Sequence, residues 1–299
     1  MSRFHPDESL GSQTSAEIKE YLELIGDEAR AHAISAQGST GQGIWGNAAI
    51  WAGTDAIYGF IEEGSQAVLP IVPLASVQPD GSIAGKRVKV TLDRFYVEEF
   101  PGFGTHRILC EFSGKNQVAG KTEELNFVAT CNARDGQSAG VSGLPVFMGL
   151  TVGRNGINLE GRTVNVSSES DDIILGVLDG DAFKKGLELI QTAQPAIKPL
   201  ASLAEGLVRM VMSRRKNRQI HTFSLGLDFA GSPTSARLRY GSFVVMQVGR
   251  KGNWDWSLYG WNRSTQQIVP QNGAEPIGQN YMVFGISPFV EDDAVAERA

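Results

Sequence analysis

The chain contains few cysteines and few prolines, and it has no long hydrophobic run. Of its 299 residues, 2 are cysteines and 12 are prolines, against 35 glycines. Every window of about 18 residues with apolar character is interrupted by charge, which argues against a constitutive transmembrane helix. The first residues lack a basic stretch followed by an apolar one, so we expect no export signal and a cytoplasm of bacterial type.

Positive charge is also in deficit. The 27 Lys and Arg residues are outnumbered by 33 Asp and Glu residues, which gives a formal net charge of −6. Non-specific binding to a phosphate backbone requires many cationic contacts. The composition therefore argues against general nucleic-acid binding, although it leaves room for a local basic patch.

Alternation of apolar and polar residues is abundant near the C-terminus. Phe223, Leu225 and Leu227 fall on one face of a strand, and a similar alternation runs through 238–248. Because successive side chains of a strand point to opposite faces, this pattern predicts antiparallel sheet with one buried face. The many glycines are typical of a fold with numerous tight turns.

The expected elements occur in blocks along the chain. These are a polar, mobile lead and amphipathic helix (1–36), a Gly/Ala/Trp-rich apolar segment (37–85), a first β block (86–180), a helical insertion (181–217), a second β block (218–290) and an acidic tail (291–299). Blocks of strands separated by helices indicate an antiparallel α+β architecture rather than alternating α/β. We predict a mainly β, sandwich-like protein with an N-terminal helix and a helical insertion between two strand blocks.

Three local patterns define the expected elements more closely. Thr14 followed by Glu17 is a capping box that begins the N-terminal helix. The apolar run 173–178 predicts a strand that is covered on both faces. Asp181 is a good N-cap for a helix that carries Leu187, and a second helix is expected to begin near Pro199.

The segment 44–61 is rich in Gly, Ala and large apolar residues, and Asp55 is its only charge. Short apolar runs are usually core segments, so a buried helix or a pair of glycine-bearing strands is one interpretation. The other is a segment that inserts into a bilayer after a conformational change, with small residues that allow close helix contacts.

The two cysteines each continue an apolar face. Cys110 lies two residues after Ile108 and two before Phe112, and Cys131 lies four residues after Phe127. These even spacings place each cysteine on the same strand face as its apolar neighbours. Both are expected in the core as small hydrophobic residues, with a cross-strand disulfide as the alternative if the chain is exported. Neither a Cys-x-x-Cys pair nor nearby histidines indicate a zinc site.

A basic run lies at and just beyond the end of the second helix of the insertion. It consists of Arg209, Arg214, Arg215, Lys216 and Arg218. Cations at this place oppose the negative end of the helix dipole. The alternative is an anion-binding patch for a partner protein or for acidic lipid headgroups, because five cations in ten residues create a strong local field.

An aromatic cluster follows in the second β block. Trp254, Trp256 and Leu258 are expected on one face of a strand, and Tyr259 and Trp261 on the other. One set must belong to the core. The other set is either packed under the helices or exposed as a platform on which a sugar, a base or a protein side chain stacks.

Two further kinds of site are weaker hypotheses. Asp179 and Asp181, joined by Asp135 from another loop, are oxygen ligands of the kind that calcium requires, although the same residues also suit a turn and a helix cap. A serine hydrolase would use Ser142, in a glycine-rich loop, with His106 or His221 as base. The surroundings of this serine miss the Gly-x-Ser-x-Gly motif by one residue.

These patterns favour a non-catalytic module that binds a protein partner or a small ligand. The residues expected to carry binding are the basic run and the exposed half of the aromatic cluster. The alternatives are a membrane-active effector, pore-forming or lipid-binding, that uses segment 44–61, and the serine hydrolase.

Overall fold

The computed structural model describes residues 2–36, 49–118, 121–168, 171–178, 187–188, 197–230, 234–249 and 254–290. The helices in these ranges are α1 (Ser15–Leu24), α2 (Glu28–Ala36), α3 (Asp172–Leu178) and α4 (Ile197–Met212). The strands are β1 (Asp55–Ile61), β2 (Val68–Pro73), β3 (Arg87–Val97), β4 (His106–Val118), β5 (Lys121–Ala133), β6 (Gln137–Ser138), β7 (Leu144–Thr151), β8 (Ile157–Val166), β9 (Leu187–Glu188), β10 (Asn217–Leu227), β11 (Gly241–Val248), β12 (Tyr259–Asn262), β13 (Gln267–Pro270) and β14 (Tyr281–Pro288).

The strands form two sheets, which confirms the predicted mainly β fold. The larger sheet has the order β13-β12-β2-β1-β11-β14-β3-β7-β9, with β6 paired to β3, and the smaller sheet has the order β10-β8-β4-β5. Pairing is antiparallel throughout, apart from the two-residue strand β9, which runs parallel to β7. Strands from both predicted blocks lie in both sheets, so the two blocks share one core.

That core lies between the sheets. Phe284 of the larger sheet packs against Phe112 and Phe223 of the smaller one, at ring-centroid distances of 5.4 and 5.5 Å. Gly161 of β8 lies directly beneath these rings, where a Cβ atom would come within 2.5 Å of Phe223. The glycine therefore makes the space that the aromatic contact occupies.

The larger sheet is buried on both faces at its centre. In β11, Phe243 and Val245 face the inter-sheet core, while Val244 and Met246 join a second cluster on the outer face. The β12–β13 hairpin covers that face, with Ile268 in the same cluster. The prediction of one buried face is therefore wrong for β11, because alternation cannot show that a hairpin folds back over a sheet.

The outer face of the smaller sheet is covered by α3 and α4. Leu175 and Leu178 of α3 and Leu207 of α4 pack there against Leu109 and Val164 of the sheet. The prediction of a strand at 173–178 is wrong. A short apolar run is ambiguous between strand and buried helix, and here the buried residues are spaced by three, as a helix requires.

The insertion differs from its prediction at one further place. Leu187, expected in a helix, lies in the short strand β9. Asp181, the predicted cap of that helix, lies outside the described residues. The second predicted helix is α4, which begins at Ile197, close to Pro199.

The N-terminal region forms two helices rather than one. The capping box is confirmed, because Thr14 N donates to Glu17 Oε2 at 2.9 Å and Glu17 N donates to Thr14 Oγ1 at 3.3 Å. A turn at Gly26, with φ at 82°, separates α1 from α2. The lead was expected to be mobile, but Phe4 and Leu10 are buried, so it packs on the body of the protein.

Segment 44–61 contributes a central strand. Residues 44–48 lie outside the described ranges, and β1 pairs with β2 on one side and β11 on the other. The side chain of Gln247 donates to the carbonyls of Trp51 (2.9 Å) and Gly53 (2.6 Å) just before β1. Within the described residues, no helix is long and apolar enough to cross a membrane.

Candidate binding surface

The basic run is placed by the turn that connects α4 to β10. Arg209 lies on the exposed side of α4, and Arg218 lies in β10. The buried side chain of Asn217 holds the turn, because its Nδ2 donates to the Val211 carbonyl at 2.8 Å and its Oδ1 accepts from Ser167 N at 3.0 Å. The five cations therefore project from a fixed backbone.

Two of the five cations form ion pairs that differ in burial. Arg214 Nε lies 3.6 Å from Oδ1 of Asp171, whose side chain is completely buried. Arg215 Nη2 lies 2.8 Å from Glu20 Oε1, and these two side chains are 79% and 66% exposed. Exposed pairs contribute little to stability, so the contact between Arg215 and Glu20 opens at little cost. Arg214 instead compensates a buried charge.

The other three cations have no ion-pair partner in the part of the chain that is described. They are Arg209, Lys216 and Arg218, and all three are exposed. Arg218 lies near Glu17, whose pKa is lowered chiefly by the hydrogen bonds from Thr14 and in small part by the charge of Arg218. The carboxylate of Glu17 is thus already engaged in the helix cap, and the guanidinium of Arg218 forms no ion pair with another described residue.

Arg215 and Arg218 line a groove of about 560 Å³ between the N-terminal region and the α4–β10 turn, here called the α1 groove. Its lining consists of Glu8, Leu10, Gln13, Glu17, Glu20, Tyr21, Leu24, Met212, Arg215, Arg218 and Gln219. Leu24 is 39% exposed and Met212 is half-buried. The groove therefore presents apolar surface beside one acidic and one basic side.

A second groove of about 360 Å³, the Phe4 groove, adjoins the first. It is lined by Arg3, Phe4, Glu8, Glu111, Arg162, Glu205, Val208, Arg209 and Met212. Glu8 and Met212 belong to both grooves. The predicted basic run thus contributes Arg209 to one groove and Arg215 with Arg218 to the other.

The wall of the Phe4 groove contains a largely buried ion pair, between Glu111 and Arg162, that the sequence analysis missed. Glu111 is buried and accepts hydrogen bonds from Arg162 Nε at 2.7 Å and Asn126 Nδ2 at 2.8 Å. The guanidinium of Arg162 lies over the ring of Phe4, 5.0 Å from its centroid. Glu111 and Arg162 lie opposite each other on β4 and β8, so only the strand register reveals the pair.

The aromatic cluster lies mainly in the outer core of the larger sheet. Trp256 is buried and donates from Nε1 to the Tyr58 carbonyl at 3.1 Å. Trp254 stacks on Tyr259 at 5.2 Å, so these ring faces cover each other. Trp261 is half-buried in the same cluster.

The expected strand faces of this cluster are wrong at its start. Residues 256–258 form a 3-10 turn rather than a strand, and Asp255 caps this turn by accepting a hydrogen bond from Ser257 N at 2.9 Å. Leu258 is 37% exposed, whereas Trp256, which was expected on the same face, is buried. Tyr259 and Trp261 do lie in one strand, β12.

Asp135, a predicted calcium ligand, is engaged by cationic and donor groups. Its Oδ1 lies 2.7 Å from His106 Nε2 and accepts from Phe100 N at 2.9 Å, and its Oδ2 lies 3.3 Å from Arg30 Nη2. Asp179 and Asp181 lie outside the described residues. In the part of the chain that the structure describes, no group of three metal-binding side chains is assembled. The calcium site stays a prediction.

The two histidines proposed as catalytic bases have other partners. His106 is buried against Asp135, and His221 is buried between the sheets with Nε2 3.3 Å from the Asp55 carbonyl. Burial lowers the pKa of His221 to about 4. Ser142 is exposed in the loop before β7, and no hydrogen bond of the described residues joins it to either imidazole.

Comparisons with known proteins return no relative. The chain matches no family model, no curated protein and no solved structure. A functional proposal for this two-sheet protein therefore depends on the geometry and charge of its two grooves.

Proposed function

We propose that the protein is a non-catalytic binding module whose α1 groove takes an acidic, partly apolar segment of a partner protein. One observation carries the proposal: Arg218, which pairs with no carboxylate of the described residues, and Arg215, held by an exposed ion pair, line the same groove as the exposed side chain of Leu24. An amphipathic acidic segment binds where cationic groups can pair with its carboxylates and apolar groups can cover its apolar side chains.

The carboxylates of the groove weaken the attraction for an acidic segment only in part, because each has a partner. Glu17 is bound by Thr14, Glu20 by Arg215, and Glu8 Oε2 lies 3.9 Å from Arg162 Nη1. Of the two cations that line this groove, Arg218 is the one that no described carboxylate pairs with. An anionic group of a partner would form an ion pair with Arg218 directly, and with Arg215 once Arg215 leaves the exposed pair with Glu20.

A protein segment suits the surface better than an acidic bilayer does. A planar anionic membrane that met Arg215 and Arg218 would also meet the exposed carboxylates of Glu17 and Glu20 alongside them, and like charges repel. A narrow peptide can place its carboxylates on the basic side alone. The groove volume of about 560 Å³ also lies in the range of pockets that enclose side chains of a ligand.

Release of segment 44–61 into a membrane has less support. Its described part includes β1, which is paired along both edges and preceded by the two hydrogen bonds of Gln247. Release would leave Gln247 buried without these acceptors and would separate β2 from β11. No observation in the described residues compensates that loss.

The test uses two fluorescein-labelled eight-residue peptides, one alternating Leu with Glu and one alternating Leu with Lys. We expect the Leu-Glu peptide to bind the full chain, measured by fluorescence anisotropy, and the Leu-Lys peptide to bind far more weakly. Arg218→Glu should weaken the Leu-Glu peptide about tenfold, because reversal of a charge in contact changes binding by about 1.4 kcal/mol.

Arg154→Glu is the matched control, since it makes the same charge change at an exposed turn between β7 and β8. Equal weakening by both variants would mean that net charge alone acts, and the groove would lose its role. Vesicles of phosphatidylcholine with phosphatidylglycerol provide the second comparison. Binding to these vesicles but not to the peptide, again lost in Arg218→Glu, would replace the protein partner by a lipid surface.

A further inference from the structure

The two cysteines lie side by side in the smaller sheet. Cys110 of β4 faces Ala129 across the strand pair, and Cys131 of β5 faces Ile108, so the cysteines are diagonal neighbours on the same face. Their sulfur atoms are 3.9 Å apart, and both thiols are free. The chain has no other cysteine, so each thiol has the other as its one intramolecular thiol partner.

The two thiols differ in access to solvent. Cys110 is buried, whereas Cys131 is half-buried on β5, which is an edge strand of its sheet. The hydrogen bond with Cys131, together with burial, raises the pKa of Cys110 well above its usual value. Cys110 therefore keeps its proton, and Cys131 is the thiol that a small oxidant in water reaches first.

We propose that Cys131 and Cys110 form a peroxide-sensitive modification site, in which hydrogen peroxide converts the two thiols into a disulfide between β4 and β5. The Cys131 thiolate attacks one oxygen of the peroxide, the O–O bond breaks, and the departing hydroxide takes up the proton that the Cys131 thiol gave up and leaves as water. The sulfur of Cys110 then attacks the sulfur of the sulfenic acid, the S–O bond breaks, and the departing hydroxide takes up the Cys110 proton and leaves as a second water. Two thiols lose two electrons in all, and one peroxide gains them.

The bond requires the two diagonal positions to move closer together. A disulfide requires sulfur atoms about 2.05 Å apart, so the two sulfurs need to approach by about 2 Å in total. Side-chain rotation on both strands and a small shift of β5 share this movement. Because β5 has a paired strand on one side only, such a shift disturbs no second strand of the sheet.

The experiment treats the folded full chain with excess hydrogen peroxide, quenches it and alkylates it under denaturing conditions without reductant. We expect the number of titratable thiols to fall from two to zero and the intact mass to fall by two hydrogen atoms. Trypsin without reductant should then release peptide 108–115 linked to peptide 122–134, since Arg107, Lys115, Lys121 and Arg134 bound them. Dithiothreitol should restore both thiols.

Two variants separate the proposed order of events. In Cys110→Ser the sulfenic acid has no second thiol, so dimedone should label Cys131, whereas Cys131→Ser should react far more slowly at the buried Cys110. The site is overturned if peroxide leaves both wild-type thiols reduced while free cysteine in the same tube is oxidised. It is equally overturned if the oxidised product is a dimer linked between two chains. The wild-type peptide map decides the matter even if a variant fails to fold.

Discussion

At the scale of single residues, the burial of the paired carboxylate determines whether Arg214 and Arg215 contribute to stability or remain available for binding. Arg214 and Arg215 are adjacent in sequence, yet Arg214 faces a fully buried Asp171 and Arg215 an exposed Glu20. A buried carboxylate that loses its cation keeps its desolvation cost, whereas an exposed one is solvated by water. Arg214 therefore contributes to the stability of the fold, whereas Arg215 is available to bind a partner.

The burial of Asp171 predicts unequal results for two nearby alanine substitutions, at Arg214 and at the exposed Lys216. Arg214→Ala should lower the free energy of unfolding by about 1 to 2 kcal/mol, because Asp171 is left buried without its ion pair. Lys216→Ala, which removes an exposed cation that pairs with no described carboxylate, should change it by less than about 0.5 kcal/mol. Urea denaturation followed by circular dichroism measures both. Equal stability of the two variants would contradict the assigned role of Arg214.

At the scale of elements, the sequence predicts a helix or a turn best where residues close together in the chain stabilise it. The capping box of Thr14 and Glu17 closes within one turn of helix, and it is present as predicted. The run 173–178 contains no such local signal, and the underlying sheet face determines that it forms α3. Trp256 is a different case, because the Asp255 cap, a local contact that the sequence analysis overlooked, turns the chain away from an extended strand.

Glycine substitutions in two elements test the packing of the core. Gly161→Ala in β8 places a methyl group within 2.5 Å of the buried Phe223 ring, so it should destabilise the protein by about 1 to 3 kcal/mol. Gly206→Ala, in the exposed face of α4 with no atom within 4 Å of the added Cβ, should instead stabilise it by about 0.5 to 1 kcal/mol. Thermal unfolding by calorimetry measures the two shifts. A tolerated Gly161→Ala would show that Phe223 and Phe112 repack.

At the scale of the whole molecule, the interface between the sheets buries a histidine side chain, which couples folding to pH. His221 lies on the inner face of β10, and burial lowers its pKa from 6.5 to about 4. The folded state thus disfavours the protonated imidazole, and the unfolded chain binds a proton first as the pH falls. Stability should decrease from about pH 6.5 down to about pH 4, by about 3 kcal/mol at most from this residue.

The comparison of two histidine variants isolates this contribution. His221→Gln carries no titrating group, so its free energy of unfolding should fall about 2 kcal/mol less than that of the wild type between pH 7 and pH 4.5. His32→Gln, at an exposed position of α2, should follow the wild type. Urea denaturation at a series of pH values gives these differences. Parallel curves for wild type and His221→Gln would show that the imidazole is hydrated in the folded state.

The sequence by itself determined the secondary-structure class, the N-terminal cap and the concentration of cations at 209–218, because alternation, capping and charge are properties of neighbouring residues. The tertiary structure alone decided which strands pair, that a hairpin buries the second face of β11, and that Arg162 meets Glu111 from another strand. It also decided that Arg214 pairs with a buried carboxylate and Arg215 with an exposed one. Contacts between residues far apart in the chain depend on strand register and sheet order, and a period of two or three residues carries no information about either.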